Sequence, residues 1–161
     1  MEPASDRVTA FKNMWYKLID DILACGVYSR EEARMACKVL DKNINLFDRD
    51  VPASLLHMDI WSQNILIGNK GKIKGIVDWD RALWGDPEIE FAVLDYCGFN
   101  NSDFWRGYGQ KPGKDRAGLV RNRFYHLYEV QKYPVIWTLR GTGGARVENY
   151  KKYSLDVLKS M

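Results

Sequence analysis

Cysteine is scarce in this sequence. There are three, Cys25, Cys37 and Cys97. The odd number and the lack of any Cys-x-x-Cys pair exclude a disulfide framework and a cysteine zinc site, and make a reducing cytoplasm the simplest compartment. Long apolar runs are missing too: no stretch reaches the roughly 20 residues that a membrane-spanning helix needs. Met1 to Asp6 lacks the charged-then-apolar layout of a signal peptide. Charge of one sign is equally thin. The formal net charge is +3, and the basic residues are scattered, so no nucleic acid and no membrane surface is expected as a partner. Internal repeats and low-complexity segments are absent.

The 161 residues suit one domain, 1–161, with a real core. Six Trp and nine Tyr are many for this length. They imply a thick aromatic core or an exposed face that meets something else. Residues 5–25 read as a helix, capped by Ser5 or Asp6. Phe11, Met14, Trp15, Leu18, Ile19, Ile22 and Leu23 share one face of it at spacings of three and four. Phe11, Trp15 and Tyr16 are read as core, or else as a face that would meet a further lobe. Gly26 ends the helix. Ser29 and Glu32 form a capping-box pattern for a second helix running to about Phe47. Asp48 to Pro52 is a polar break.

The texture then turns to β. Ile65 to Ile67, a turn at Gly68 to Gly71, and Ile73 to Trp79 read as a hairpin. Asp86 and Pro87 are placed as N-cap and first residue of a helix reaching Tyr96. Further helices are expected near 101–108, 115–139 and 145–160, with Gly141, Gly143 and Gly144 in the last loop. His126 falls within one of them and is read simply as a helix residue. The predicted fold class is mainly α with one small β-hairpin, an α+β arrangement.

The segment that carries chemistry runs from His57 to Asn64, through the hairpin, to Asp78. Phosphoryl transfer passes through a loose anionic transition state, so positioning and charge neutralisation dominate its catalysis. A carboxylate must orient an acceptor hydroxyl and take its proton; Asp59 suits that role. Magnesium prefers hard oxygen ligands, which the side chains of Asn64 and Asp78 offer. Because a hairpin brings its two ends together, the loop holding Asp59 and Asn64 is expected to share a cleft with Asp78. Asp59, Asn64 and Asp78 have capping or turn roles as their alternatives. His57 is expected to be architectural. Asp86 is expected to cap its helix or brace the catalytic loop, and Arg81 to form a surface ion pair. Asp80 stays open between a solvated acid and a contributor to the site.

The stretch Leu56 to Ala92, LHMDIWSQNILIGNKGKIKGIVDWDRALWGDPEIEFA, resembles the signature of the aminoglycoside phosphotransferase family. That family has a protein-kinase-like fold and includes small-molecule kinases for antibiotics, choline, homoserine and sugars. The resemblance implies that Asp59 is the catalytic base and that Asn64 and Asp78 are magnesium ligands, with ATP or GTP as phosphoryl donor and a small-molecule hydroxyl as acceptor. It departs from the pattern at Met58, where these kinases usually have Gly. Only 56 residues precede His57. They show neither a Gly-rich loop after a strand nor a Val-Ala-x-Lys-like strand, so the chain resembles the C-terminal lobe alone. Three expectations follow: a small-molecule phosphotransferase; a non-catalytic module derived from such a lobe that binds a small molecule or a partner; or a piece of a longer chain. An open cleft also leaves room for a homodimer partner or a second chain to cover it.

Overall fold

The computed structural model describes residues 6–109, 111 and 113–161. Its first helix, α1 (Arg7–Ala24), begins where the Asp6 side chain accepts the Thr9 N–H at 2.8 Å. It ends at Gly26, whose φ of 73° is easy for glycine alone. Helix α2 (Arg30–Asn43) opens with the full capping box: Ser29 accepts the Glu32 N–H, and the Glu32 carboxylate accepts the Ser29 N–H. It is shorter than the sequence pattern suggests, because Ile44–Phe47 tighten into a 3-10 turn. That turn drives Phe47 into the core.

Helix α3 (Pro87–Tyr96) is capped by Asp86, with Pro87 in its first turn. Helices α4 (Ser102–Tyr108), α5 (Arg116–Leu139) and α6 (Ala145–Lys159) follow. The long α5 is the axis of the fold and packs against α1, α3 and α6. Trp15 is fully buried at the crossing of α1 with α5, its ring edge-on to Phe124 at 5.3 Å. Phe11 stacks on Phe47 and meets Tyr125 edge-on, both at 4.9 Å. Phe11 and Trp15 are therefore core residues. Tyr16, on the flank of α1, instead donates its hydroxyl to Asp41 on α2.

The expected hairpin is present. Strands β2 (Ile65–Ile67) and β3 (Ile73–Ile76) pair antiparallel, Ile65 opposite Ile76. The second strand stops at Ile76 rather than Trp79: Val77 still donates its N–H to the Asn64 carbonyl, and Asp78 then breaks the extended backbone with φ 66°. The single hairpin of the sequence reading needs one correction. A second two-stranded sheet pairs β1 (Ser54–Leu56) with β4 (Leu83–Gly85), Leu56 opposite Leu83. It brackets the segment from His57 to Ala82, so both ends of the motif rise from one place. The mainly helical α+β class stands. Among the described residues no helix is long and apolar enough to cross a membrane.

Candidate active site

The loop after β1 is built on two backbone devices. Met58 has φ 65°, in the left-handed region that glycine occupies freely, and its side chain is buried. This conformation gives a physical reason for glycine to be usual at that point in related signatures. Glu90, in α3, holds the strained segment. Its carboxylate accepts the His57 N–H at 2.5 Å and the Met58 N–H at 3.2 Å from each oxygen. Burial pushes the Glu90 carboxyl above the ordinary range, while these two N–H donors pull it back.

His57 serves the frame. Its Nδ1 accepts the Asp59 N–H at 3.3 Å, which leaves Nε2 to donate to the Val77 carbonyl at 2.9 Å. The Trp79 ring lies 4.5 Å from the imidazole, its indole N–H donated to the Ile76 carbonyl. His57 thus ties the loop to the strand end that precedes Asp78.

Asn64 is the joint of the site. Its amide donates to the Asp59 carbonyl at 2.9 Å and to the Asp59 carboxylate at 3.1 Å. Its own carbonyl accepts the Val77 N–H at 3.0 Å. With Nδ2 so committed, the side-chain Oδ1 is the atom left to face a ligand. Asp78 follows Val77 in the left-handed region, φ 66°, and is exposed. Among the described residues its carboxylate has no hydrogen bond or ion pair. The loop of Asp59 and Asn64 therefore meets Val77, the residue before Asp78, whereas neither Asn64 nor Asp78 is among the walls of the cleft that opens beside Asp59.

The other Asp59 oxygen, Oδ1, lies 3.3 Å from Nη1 of Arg81, which is the ion pair expected for that arginine. Beside them opens a cleft of about 670 Å³, walled by Trp61, Tyr96, Tyr133 and Arg140 among others. Asp80 is exposed. Asp86 caps α3 by accepting the Glu88 N–H at 2.9 Å, and its brace runs to Arg49 rather than to the catalytic loop.

Sequence reasoning missed Glu90, the Arg49–Glu88–Arg121 cluster and the aromatic walls of the cleft. One signal was available. Glu88 and Glu90 stand two apart on a helix and so face opposite ways: Glu88 into the core toward Arg121, Glu90 toward the loop.

A sequence model of the fructosamine kinase family matches residues 23–138. A protein named "Probable ketoamine kinase" from Vibrio vulnificus is 30% identical over 86 residues, 53% of this chain and 28% of that one. Hygromycin-B 4-O-kinase of Escherichia coli is 31% identical over 125 residues, 70% of this chain and 31% of that one. The matches thus span under a third of these relatives' length. Among solved structures, a thermostable mutant of aminoglycoside phosphotransferase APH(4)-Ia superposes with a TM-score of 0.58 at 21% identity, over 91% of this chain and 52% of the other. The same enzyme has been solved in a ternary complex with AMP-PNP and hygromycin B. The gentamicin complex of APH(2")-IIa gives a TM-score of 0.55 at 17% identity, over 98% of this chain and 52% of the other. The chain belongs to the fructosamine kinase family and has the kinase-like fold of the aminoglycoside phosphotransferases.

Proposed function

We propose that this chain carries the catalytic and metal-binding half of an ATP- or GTP-dependent phosphotransferase acting on a hydroxyl of a small molecule. One observation carries the reading: Asn64 clamps Asp59 through its amide, which leaves Oδ1 as its ligating atom, and Asp78, exposed and without a hydrogen bond or ion pair among the described residues, follows the Val77 that bonds the Asn64 carbonyl. Magnesium takes hard oxygen ligands, and these two side chains offer such atoms at the end of one hairpin. Asn64 and Asp78 would hold it, and when bound it neutralises charge on the nucleotide phosphates.

The remaining work falls to Asp59. Its carboxylate orients the acceptor hydroxyl and receives its proton as the oxygen attacks the terminal phosphorus. The bond from that phosphorus to the bridging oxygen breaks, and the nucleoside diphosphate leaves with the electron pair. Arg81 must yield its place on Oδ1 when the hydroxyl arrives. His57, Glu90 and Asp86 touch no reacting atom; His57 and Glu90 support the loop that carries Asp59, and Asp86 caps the helix that carries Glu90.

The test is magnesium-dependent nucleotide turnover by the purified chain, and by its Asp59→Ala and Asp78→Ala variants. Losses of about 100-fold or more are expected of each, since both groups act on the transition state. Full activity in both variants would sink the assignment.

A second reading, that a further lobe or chain covers the site, is favoured by the hairpin's outer surface. Leu66, Ile67 and Ile73 are each at least half exposed there, and apolar patches of this kind mark contact surfaces. In this reading residues 1–161 are a kinase-like C-terminal lobe whose cleft is closed by another part of the protein or by a homodimer partner. Calorimetry separates the two: a folded chain that binds no magnesium nucleotide is a binding module, or needs its cover. The three free cysteines suit a reducing cytoplasm.

A further inference from the structure

A second groove, of about 280 Å³, lies between β1, α3 and α4 and shares no wall residue with the cleft beside Asp59. It is at the small end of ligand cavities. Leu55, Leu56, Ile60 and Leu94 give it an aliphatic surface, and four aromatic side chains complete it: Trp79, Phe91, Phe104 and Tyr108. The Tyr108 ring meets Phe91 edge-on at 5.2 Å and stacks on Phe104 at 5.5 Å. Trp79 and Tyr108 are each nearly half exposed, so the groove is open to solvent.

One carboxylate stands in this wall, that of Glu90, and among the described residues no Lys or Arg joins it. Glu90 accepts only the backbone N–H groups of His57 and Met58 and has no ion pair among the described residues. Two donors leave part of a carboxylate's acceptor capacity unused. Glu88, two residues earlier in the same helix, is by contrast held by both Arg49 and Arg121. His57, also in the wall, spends both ring nitrogens on the loop and strand. The acids around the groove supply no positive charge. Asp78 precedes Trp79 and is exposed without a partner among the described residues. Asp59 is paired with Arg81, and Asp103 of α4 with Arg106. The rise of the Glu90 carboxyl above its ordinary range agrees with burial short of a counter-charge.

We propose that this groove binds a small organic ammonium ion with an apolar body, its charge set against the Glu90 carboxylate and the rings of Tyr108 and Trp79. Aromatic rings attract a cation through their negative faces, more strongly where water is excluded. An uncompensated, part-buried carboxylate adds a charge of the right sign. An anion would face Glu90 unaided, and a neutral molecule would leave it uncompensated. Glu90 also fixes the backbone of His57 and Met58, so an occupant draws on the same carboxylate that shapes the loop of Asp59.

The experiment uses the full chain, isotope-labelled, with the indole N–H groups followed by nuclear magnetic resonance. Trp79 reports on the groove, and Trp61 on the cleft beside Asp59. Benzylammonium, benzyltrimethylammonium, neutral N-benzylacetamide and anionic phenylacetate are titrated at equal ionic strength. At least one ammonium ion should shift Trp79 and bind about tenfold or more tighter than N-benzylacetamide, and phenylacetate should bind weakest. Comparing the two ammonium ions tells N–H donation to Glu90 from purely ionic and ring contact. Glu90→Gln should bring the ammonium ions down to the neutral level. Tyr108→Leu keeps an apolar wall without a ring; it should weaken them about threefold and leave N-benzylacetamide unchanged. That variant, at an exposed position, carries the test should Glu90→Gln fail to fold. Asp59→Asn and Asp78→Asn should leave ammonium binding in place. Equal binding of charged and neutral probes, a preference for phenylacetate, or a response at Trp61 with none at Trp79 would each overturn the proposal. So would an ammonium preference untouched by Tyr108→Leu, or one lost in Asp59→Asn or Asp78→Asn, which would move the cation to the catalytic side.

Discussion

The Glu90 carboxylate accepts the backbone N–H of Met58 with both oxygens at 3.2 Å, and so fixes a buried residue in a left-handed conformation. Two opposed effects then meet at residue 58. A non-glycine residue in that region carries a cost of about 1–2 kcal/mol, whereas deleting a buried methionine side chain loses about 2–5 kcal/mol. Packing should win. Met58→Gly is expected to lower stability by about 1–3 kcal/mol in urea unfolding, despite relieving the backbone. A more stable variant would mean that the strain is larger than the packing it supports.

Glu90→Gln removes the charge and one of the acceptor atoms shared by His57 and Met58. A buried N–H left unmatched costs about 1–3 kcal/mol, so the loss of stability should fall in that range. Turnover should fall by more than the stability loss explains, because the loop that Glu90 holds carries Asp59. Far-ultraviolet circular dichroism alongside single-turnover rates separates the two effects. Equal activity in a folded variant would remove Glu90 from the positioning of the loop.

Glu88 sits between two arginines, 2.8 Å from Nη1 of Arg49 and 2.8 Å from Nε of Arg121. Arg121 also donates to the Leu46 carbonyl, and Tyr125 approaches Asp86 from α5. The side chains of Glu88 and Arg121 are almost wholly buried, so removing one strands the other's charge. Glu88→Ala and Arg121→Ala should each cost about 3–5 kcal/mol, and the double variant clearly less than their sum. Additive losses in that cycle would show that the pair is not coupled.

The same network marks where the sequence stopped being readable. Asp59, Asn64 and Asp78 stood out because hard oxygen ligands and a carboxylate recur at a spacing that chemistry can use. The bond between Asn64 and Val77, which sets Asp78 next in the chain to the loop's partner, followed from β2 and β3, which are local. The β1–β4 pair was not legible: each strand has three residues, too few for a period to show, and Ser54 pairs with Gly85 across the whole motif. Arg49, Glu88 and Arg121 carry no local sign of the cluster they form, since nothing in their sequence neighbours announces burial. Gly26, Ser29, Asp86 and Pro87 were readable because caps and turns act within a few residues. Met58 was visible as a departure from the family pattern, but only the backbone shows that the departure carries strain.

Burial raises the thiol of Cys97, at the edge of the cleft, to about 11, and that of Cys37 on α2 likewise to about 11. Nearby acids add to both shifts. The thiolate is the reactive form, so at pH 8 only about one in a thousand of either group is reactive. Iodoacetamide labelling followed by mass spectrometry should be slow at both positions in the folded chain. It should quicken about tenfold per pH unit while the fold persists. Rapid labelling of Cys97 at pH 7 would contradict the burial that raises its thiol.

His126 lies in α5 with its Nδ1 buried and, among the described residues, without a hydrogen-bond partner. Its ring meets Tyr96 from α3 and Tyr153 from α6. Burial holds its pKa below the usual histidine value, while Asp95 and Glu129 oppose that shift more weakly. A depressed histidine is favoured neutral in the fold, so the unfolded chain takes up its proton at a higher pH than the folded chain does. The stability tied to neutral His126 is therefore whole above the unfolded value, about 6.5, and is lost as pH falls toward and through the lower folded one. Thermal unfolding from pH 8 down to pH 5 should show this decline. His126→Gln keeps a polar side chain that does not titrate, and its profile should be flatter across the window. His57 is common to both chains, so its contribution cancels in the difference. Parallel profiles would place the acid sensitivity elsewhere and would require that protonated His126 be accommodated among Tyr96, Tyr153 and the two carboxylates.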